Sequence, residues 1–208
     1  REMNQGDIAK VVDDFVSGAE RANEAGFDII ELHGGHGYLL SSFISPLSNQ
    51  RSDAYGGSME NRMRLPLEVF RAVRAVWPEE KPISCRISAI DWADGGNNIE
   101  DAGEVGRMFK EAGLDILDVS SGNVTHVRRP VTPGLFQTPF SEEIRRETGI
   151  PTMTVGNIAT PEQINGVIAE GRADLCCVAP AGPCCVGPCC ADLCCVAQCY
   201  VDECCVGQ

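Results

Sequence analysis

The chain has 208 residues, 43% of them apolar and 23% charged, with a formal net charge of −13. This is enough chain for one domain with a real core. The acidic balance, with no basic stripe to offset it, argues against nucleic acid or an anionic membrane surface as partner. No apolar run reaches membrane-span length, and the polar start REMNQGDIAK is not a secretory signal, so a cytoplasmic protein is the expectation.

Helical and strand patterns alternate from the first residues. Ile8, Val11, Val12, Phe15, Ala19 and Ala22 recur at helical spacing over 7–25, and Gly26 supplies a stop. FDIIEL (27–32) follows as a strand. A second helix is predicted over 60–77, with Leu67, Phe70 and Val73 on one stripe and Pro78 ending it. PISCRIS (82–88) reads as a strand, 99–112 as a helix up to Gly113, and LDILDV (114–119) as a strand. The next helix spans 141–148, with Ser141 as N-cap and Gly149 as stop. PTMTVG (151–156) is a strand. Thr160-Pro161-Glu162-Gln163 is a capping box with proline at the first helical position. That helix runs to Gly171, and ADLCCV (173–178) is the last strand.

AGFDIIEL (25–32) and AGLDILDV (112–119) are nearly one string: a helix end, a glycine and a buried strand. Such alternation with near-continuous apolar strands means an α/β fold with a parallel sheet covered by helices. The pattern supplies five units, a partial (β/α)8 TIM barrel, over residues 1–178. The competing architecture is an open doubly wound sheet, but no glycine-rich dinucleotide fingerprint follows any strand. The long, polar loops all follow strands, whereas the returns from helix to strand are short (EAG, EEKP, TGI). Barrel chemistry sits at the strands' C-terminal ends.

At the first such end stand His33, His36 and Tyr38, separated by Gly34, Gly35 and Gly37. Flexible backbone lets these side chains converge on one small ligand. Two imidazoles can donate to one developing oxyanion, and a phenol can supply a proton. A metal pair and loop histidines without a role are the alternatives. No acidic residue or third histidine at ligand spacing favours metal, and none is expected. Arg86, near the end of its strand, is either a functional cation or half of an interior salt bridge.

The segment HGGHGYLLSSFISPLSNQRSDAYGGSMENR (33–62) closely resembles the signature of the Old Yellow Enzyme family, in its two-histidine branch. The likeness continues through RISAIDW (86–92), DVSSG (118–122), TVGNI (154–158) and GRADL (171–175). It implies an FMN-binding barrel. In this family FMN takes hydride from NADH or NADPH and passes it to an activated alkene such as an enone or enal. It further implies that His33 and His36 bind the substrate carbonyl oxygen and that Tyr38 donates the proton. Arg86 would lie against the flavin, and Gly156 and Asn157 would approach the FMN phosphate. Arg51, Asp53, Tyr55, Glu60, Asn61 and Arg62 read as braces of the long loop. The stretch also resembles barrels fused in larger CoA-ester oxidoreductases, so a fused domain or a homo-oligomer is the expected assembly.

After GRADL the sequence departs from the family. Pro180 stands about where an arginine gripping the phosphate is expected, and neither Arg nor Lys follows Arg172. All cysteines but Cys85 lie between Cys176 and Cys205, chiefly in the five-residue repeat PCCVG, PCCAD, LCCVA, QCYVD, ECCVG (183–207). No C-x-x-C spacing occurs in it. Residues 179–208 are therefore expected to be a low-complexity tail without a fold, the alternatives being a thiol metal site, which would make this a metal-binding protein, and a pentapeptide β-helix.

Overall fold

The computed structural model describes residues 2–126 and 133–178. The cysteine repeat and Pro180 lie outside the described residues.

Helix α1 (Gln5–Glu24) opens with a capping box: Asn4 accepts from the Asp7 amide, and the Asp7 carboxylate accepts from the Asn4 amide. Strand β1 (Ile30–Gly34) starts three residues later than the sequence suggested. Phe27 is the reason. Its amide still closes α1 by donating to the Ala22 carbonyl, while Gly26 takes a left-handed φ of 83°. The chain leaves the helix only after that.

Helix α2 (Leu39–Ile44), absent from the sequence reading, follows the histidine loop. The helix expected over 60–77 is two: α3 (Met59–Arg62) and α4 (Arg64–Val76). Pro66 has no N–H to give the carbonyl of Arg62, so it belongs in a first turn, and the helix restarts just ahead of it. Strand β2 (Ile83–Ser88), helix α5 (Ile99–Ala112) and strand β3 (Ile116–Ser120) come next. Helix α6 (Thr138–Thr148) begins before the expected N-cap Ser141, whose hydroxyl instead bonds the carbonyl of Thr138 within the first turn. Strand β4 (Thr152–Thr154), helix α7 (Pro161–Ala169) and strand β5 (Leu175–Cys176) complete the described elements. The capping box of Thr160 and Gln163 is present as expected.

The strands form one parallel sheet in the order β1-β2-β3-β4-β5. Consecutive helices pack side by side, α1 on α4, α4 on α5 and α5 on α6. With crossovers of one hand, this puts them in one layer outside the sheet. A doubly wound sheet would need a reversal of strand order, and there is none among the described residues. The architecture is five successive units of a TIM-barrel wall.

Alternation along each strand assigns its two faces. Leu32, Ile83, Cys85, Ile87, Leu117 and Val119 are buried together with Phe70, Phe109 and Ile144 of the helices. Phe70 and Phe109 meet edge to face at 6.2 Å. Each such fully buried side chain is worth about 1.5–3 kcal/mol relative to exposure. The opposite face carries Glu31, His33, Ser84, Arg86 and Asp118, with His33, Arg86 and Asp118 adjacent across β1, β2 and β3. Among the described residues no helix is long and apolar enough to cross a membrane.

Candidate active site

Because the sheet is parallel, the C-terminal ends of its strands share one rim. The end of β1 presents His33. Its ring centroid lies 5.2 Å from that of His36 and 5.0 Å from that of Tyr38, with both pairs tilted. The structure brings these three rings together at the end of β1. Tyr38 is the most open, at 46% exposed, and the two imidazoles are half-buried.

The loop between them is tightly held. His36 has a φ of 59°, a left-handed conformation unusual for a residue with a Cβ. Its amide donates to the Ser88 hydroxyl at 2.9 Å, and that hydroxyl donates to the Gly122 carbonyl at 2.9 Å. Gly37 has a φ of 76°, and a Cβ there would stand 2.8 Å from the Asn123 carbonyl oxygen. Only glycine fits both constraints.

Behind His36 runs a buried polar chain. Nε2 of His36 is 2.7 Å from Ser120 Oγ. The hydroxyls of Ser120 and Ser121 both reach Gln137 Oε1, at 3.3 and 2.6 Å. Gln137, 2% exposed, donates through Nε2 to the Val155 carbonyl at 3.1 Å, and Trp92 donates to Ser121 at 3.1 Å. Gln137 and Ser120 were not singled out from sequence as site residues. DVSSG marked Ser120 only as part of a match, and Gln137 sits in LFQTPF with no spacing signal.

Arg86 occupies the same sheet face as His33, one strand over. Its Nε is 3.2 Å from Asp118 Oδ2, with side chains 11% and 2% exposed. The interior salt bridge weighed for Arg86 is therefore present. Burial, and then the neighbouring Glu31, push the Asp118 carboxyl up to about 7 against the lowering effect of Arg86. Glu31 is also raised, chiefly by desolvation, although it accepts from Ser84 Oγ at 2.8 Å. Cys85 points to the helix side, and burial holds its thiol well above the ordinary range.

Gly156 and Asn157 lie past β4, three strands along the sheet from His33. Both have positive φ, 124° and 55°, so the backbone turns sharply at the rim. A Cβ on Gly156 would stand 2.9 Å from Phe136 and 3.0 Å from Gln137.

The long loop after α2 is braced as its composition suggested. Arg51 clasps the Asp53 carboxylate through Nε and one terminal nitrogen, and Asn61 donates to Gly56. Arg62 donates to the Ile44 and Gly57 carbonyls. Buried Asn49 bridges the carbonyls of Phe43 and Tyr55 at 2.7 Å each. Among the described residues no group of three or more His, Cys, Asp or Glu is arranged to hold a metal.

A family model described as the NADH:flavin oxidoreductase / NADH oxidase family matches residues 1–181. The chain is 50% identical over 175 residues to an NADPH dehydrogenase of Geobacillus thermodenitrificans, covering 84% of this chain and 51% of that protein. It is 43% identical over 182 residues to an NADH oxidase of Thermoanaerobacter brockii, covering 86% and 28% respectively. Among solved structures, morphinone reductase in complex with tetrahydroNAD superposes with a TM-score of 0.68 at 26% identity, over 85% of this chain and 46% of that one. The chain thus spans about half the length of the NADPH dehydrogenase it matches.

Proposed function

The chain belongs to the NADH:flavin oxidoreductase / NADH oxidase family, and from that premise we propose that it forms the substrate-activating wall of an FMN-dependent reductase of activated alkenes. The observation that carries the reading is the gathering of the His36 and Tyr38 rings within 5.2 Å of the His33 ring at one strand end. FMN, when bound, supplies hydride obtained from NADH or NADPH. The residues fit such a group in two respects. Arg86 places a cation on the face of β2 turned away from the helices, beside His33, suited to a ring that gains negative charge on reduction. The sharply turned backbone at Gly156 and Asn157 suits a phosphate approached by main-chain amides.

In this reading His33 and His36 hold the carbonyl oxygen of an enone, enal or related acyl substrate. Charge accumulates on that oxygen as hydride reaches the β-carbon, so donors placed there act more strongly in the transition state than in the ground state. Tyr38, the most exposed of the three, delivers the proton to the α-carbon and is resupplied from solvent. Loss of one such oxyanion donor typically costs about 10²–10³-fold in rate.

The test is a titration of the FMN-loaded chain with a phenol. Stacking of a phenolate on flavin under the two histidines gives a long-wavelength charge-transfer band. His33→Ala with His36→Ala should abolish it. A band unchanged in the double variant rules out the pair as the oxygen site. A second reading is favoured by the sheet itself: among the described residues β1 pairs only with β2, and β5 only with β4. Such a wall could be completed by another chain. It would then bind FMN only after that partner is added, whereas the first reading requires a flavin spectrum from this chain with FMN alone.

A further inference from the structure

One arrangement of protons makes every contact in the polar chain behind His36 a hydrogen bond. The Val155 carbonyl accepts and cannot donate, so the Gln137 group facing it at 3.1 Å must be the Nε2 amine. Oε1 of Gln137 therefore faces the two serines. It too can only accept, so Ser121 and Ser120 each give it their hydroxyl proton, at 2.6 and 3.3 Å. Ser121 receives the indole N–H of Trp92 in return. Ser120, its own proton spent, can engage the imidazole only as an acceptor. The 2.7 Å contact is thus a bond from His36 Nε2–H to Ser120 Oγ.

We infer that Gln137 is a positioning residue that fixes the ring proton of His36 on Nε2 by orienting Ser120. The same amide ties His36 to the β4 rim, because its other end holds Val155, the residue preceding Gly156. The catalytic meaning rests on the proposed role of His36 at the substrate oxygen. A ring whose Nε2–H is committed to Ser120 donates from its second nitrogen only as imidazolium. Its Nδ1 is buried, so donation to an anionic oxygen also requires the ring to turn or its cover to open, and the bond it then makes is charge-assisted, about twice as strong as a neutral one. His33 and His36 would not be interchangeable donors.

The experiment reads the ring proton directly on the purified 15N-labelled chain, with no flavin required. There are three histidines in the sequence, so His33→Ala and His126→Ala assign the imidazole signals. In the wild type, two-bond proton–nitrogen correlations at a pH where the rings are neutral should show His36 protonated at Nε2. Gln137→Leu should shift it to a mixture of tautomers and speed exchange of the Nε2 proton with water about fivefold, the loss of one ordinary hydrogen bond. Gln137→Glu keeps an acceptor for both serines and should restore the wild-type tautomer. Ser120→Ala removes the acceptor itself and should reproduce the Gln137→Leu spectrum; it decides the matter should Gln137→Leu fail to fold. A wild-type His36 protonated at Nδ1, or a tautomer and exchange rate unmoved by Gln137→Leu or Ser120→Ala, overturns the inference. A missing charge-transfer band alongside the expected tautomer would sink only the oxygen-site reading.

Discussion

Arg86 carries its charge beside two carboxylates, Asp118 in direct contact and Glu31 near enough to interact. Three charges on one face of a sheet sum to a net negative, and burial resists that sum, so a proton is retained. The Asp118 carboxyl, raised from 3.8 to about 7, is where desolvation places it. A folded-state value above the unfolded one means that the group's stabilising contribution is complete below the unfolded value. It is lost as pH rises toward the folded value. Between about pH 4 and pH 7 the fold should therefore lose stability on this account, by at most about 1.4 kcal/mol per pH unit. Asp118→Asn keeps the shape and removes the titration. Denaturant melts of both proteins across that range should show the stability difference closing as pH falls. Parallel curves would mean that Asp118 stays ionised throughout. At the same scale, the proposed role of Tyr38 predicts that Tyr38→Phe slows alkene reduction about 10²-fold or more while leaving flavin reduction by NAD(P)H intact, since only the alkene step would need its proton. Equal slowing of both half-reactions in stopped flow would remove the proton-donor role. His33, His36 and Tyr38 were visible in the sequence as polar residues among glycines past a strand and Arg86 as a charge near a strand end, with their roles implied only by the family resemblance. Their supports were not. The partnership of Arg86 with Asp118 depends on the register between two strands, and Gln137 joins Ser120 to Val155 across loops that no local pattern connects.

Elements ended where local chemistry was strong and drifted where tertiary contacts decided. The capping box at Thr160 started α7 as expected, and Gly113 closes α5 in a left-handed conformation. Strand β1 was displaced by a closing turn that uses Phe27, and α6 by the earlier start at Thr138. Helix α2 escaped notice because LLSSFI is short and buried on several sides: Leu40, Ser41, Phe43 and Ile44 are all inaccessible, leaving no polar stripe to mark a helical period. What holds α2 against the loop after it is Asn49. Its amide satisfies two buried carbonyls at once, one at the end of α2 and one at Tyr55. Asn49→Ala leaves both unpaired and should cost about 2–4 kcal/mol, read as a lower midpoint in urea at unchanged slope. A loss below about 0.5 kcal/mol would mean that water replaces the amide and the loop is not braced there.

At the scale of the molecule, five βα units were readable because each strand is preceded by Gly or Pro near its start, and β1 to β4 are followed within a few residues by polar ones. What no pattern in the sequence could state is how the strands' edges are covered. In the structure β2, β3 and β4 have neighbours on both sides, whereas β1 and β5 are paired on one side among the described residues. Amide exchange should follow that order, slowest in Ile83–Ser88 and Ile116–Ser120, and faster in Ile30–Gly34. Equal protection of β1 in the isolated chain would indicate that its outer edge is covered, by self-association or by a bound segment.

The sequential strand order also gives the rim a metric. Neighbouring strands stand about 4.8 Å apart, so the three intervals from β1 to β4 separate the histidine end from the Gly156–Asn157 end by about 14 Å along the arc. A molecule that touches both ends must match that span, and any flattening or slippage of the intervening strands changes it. An elongated ligand bridging the two would therefore act as a caliper, its affinity reporting whether the curvature of β2 and β3 is native even when every side chain it touches is intact.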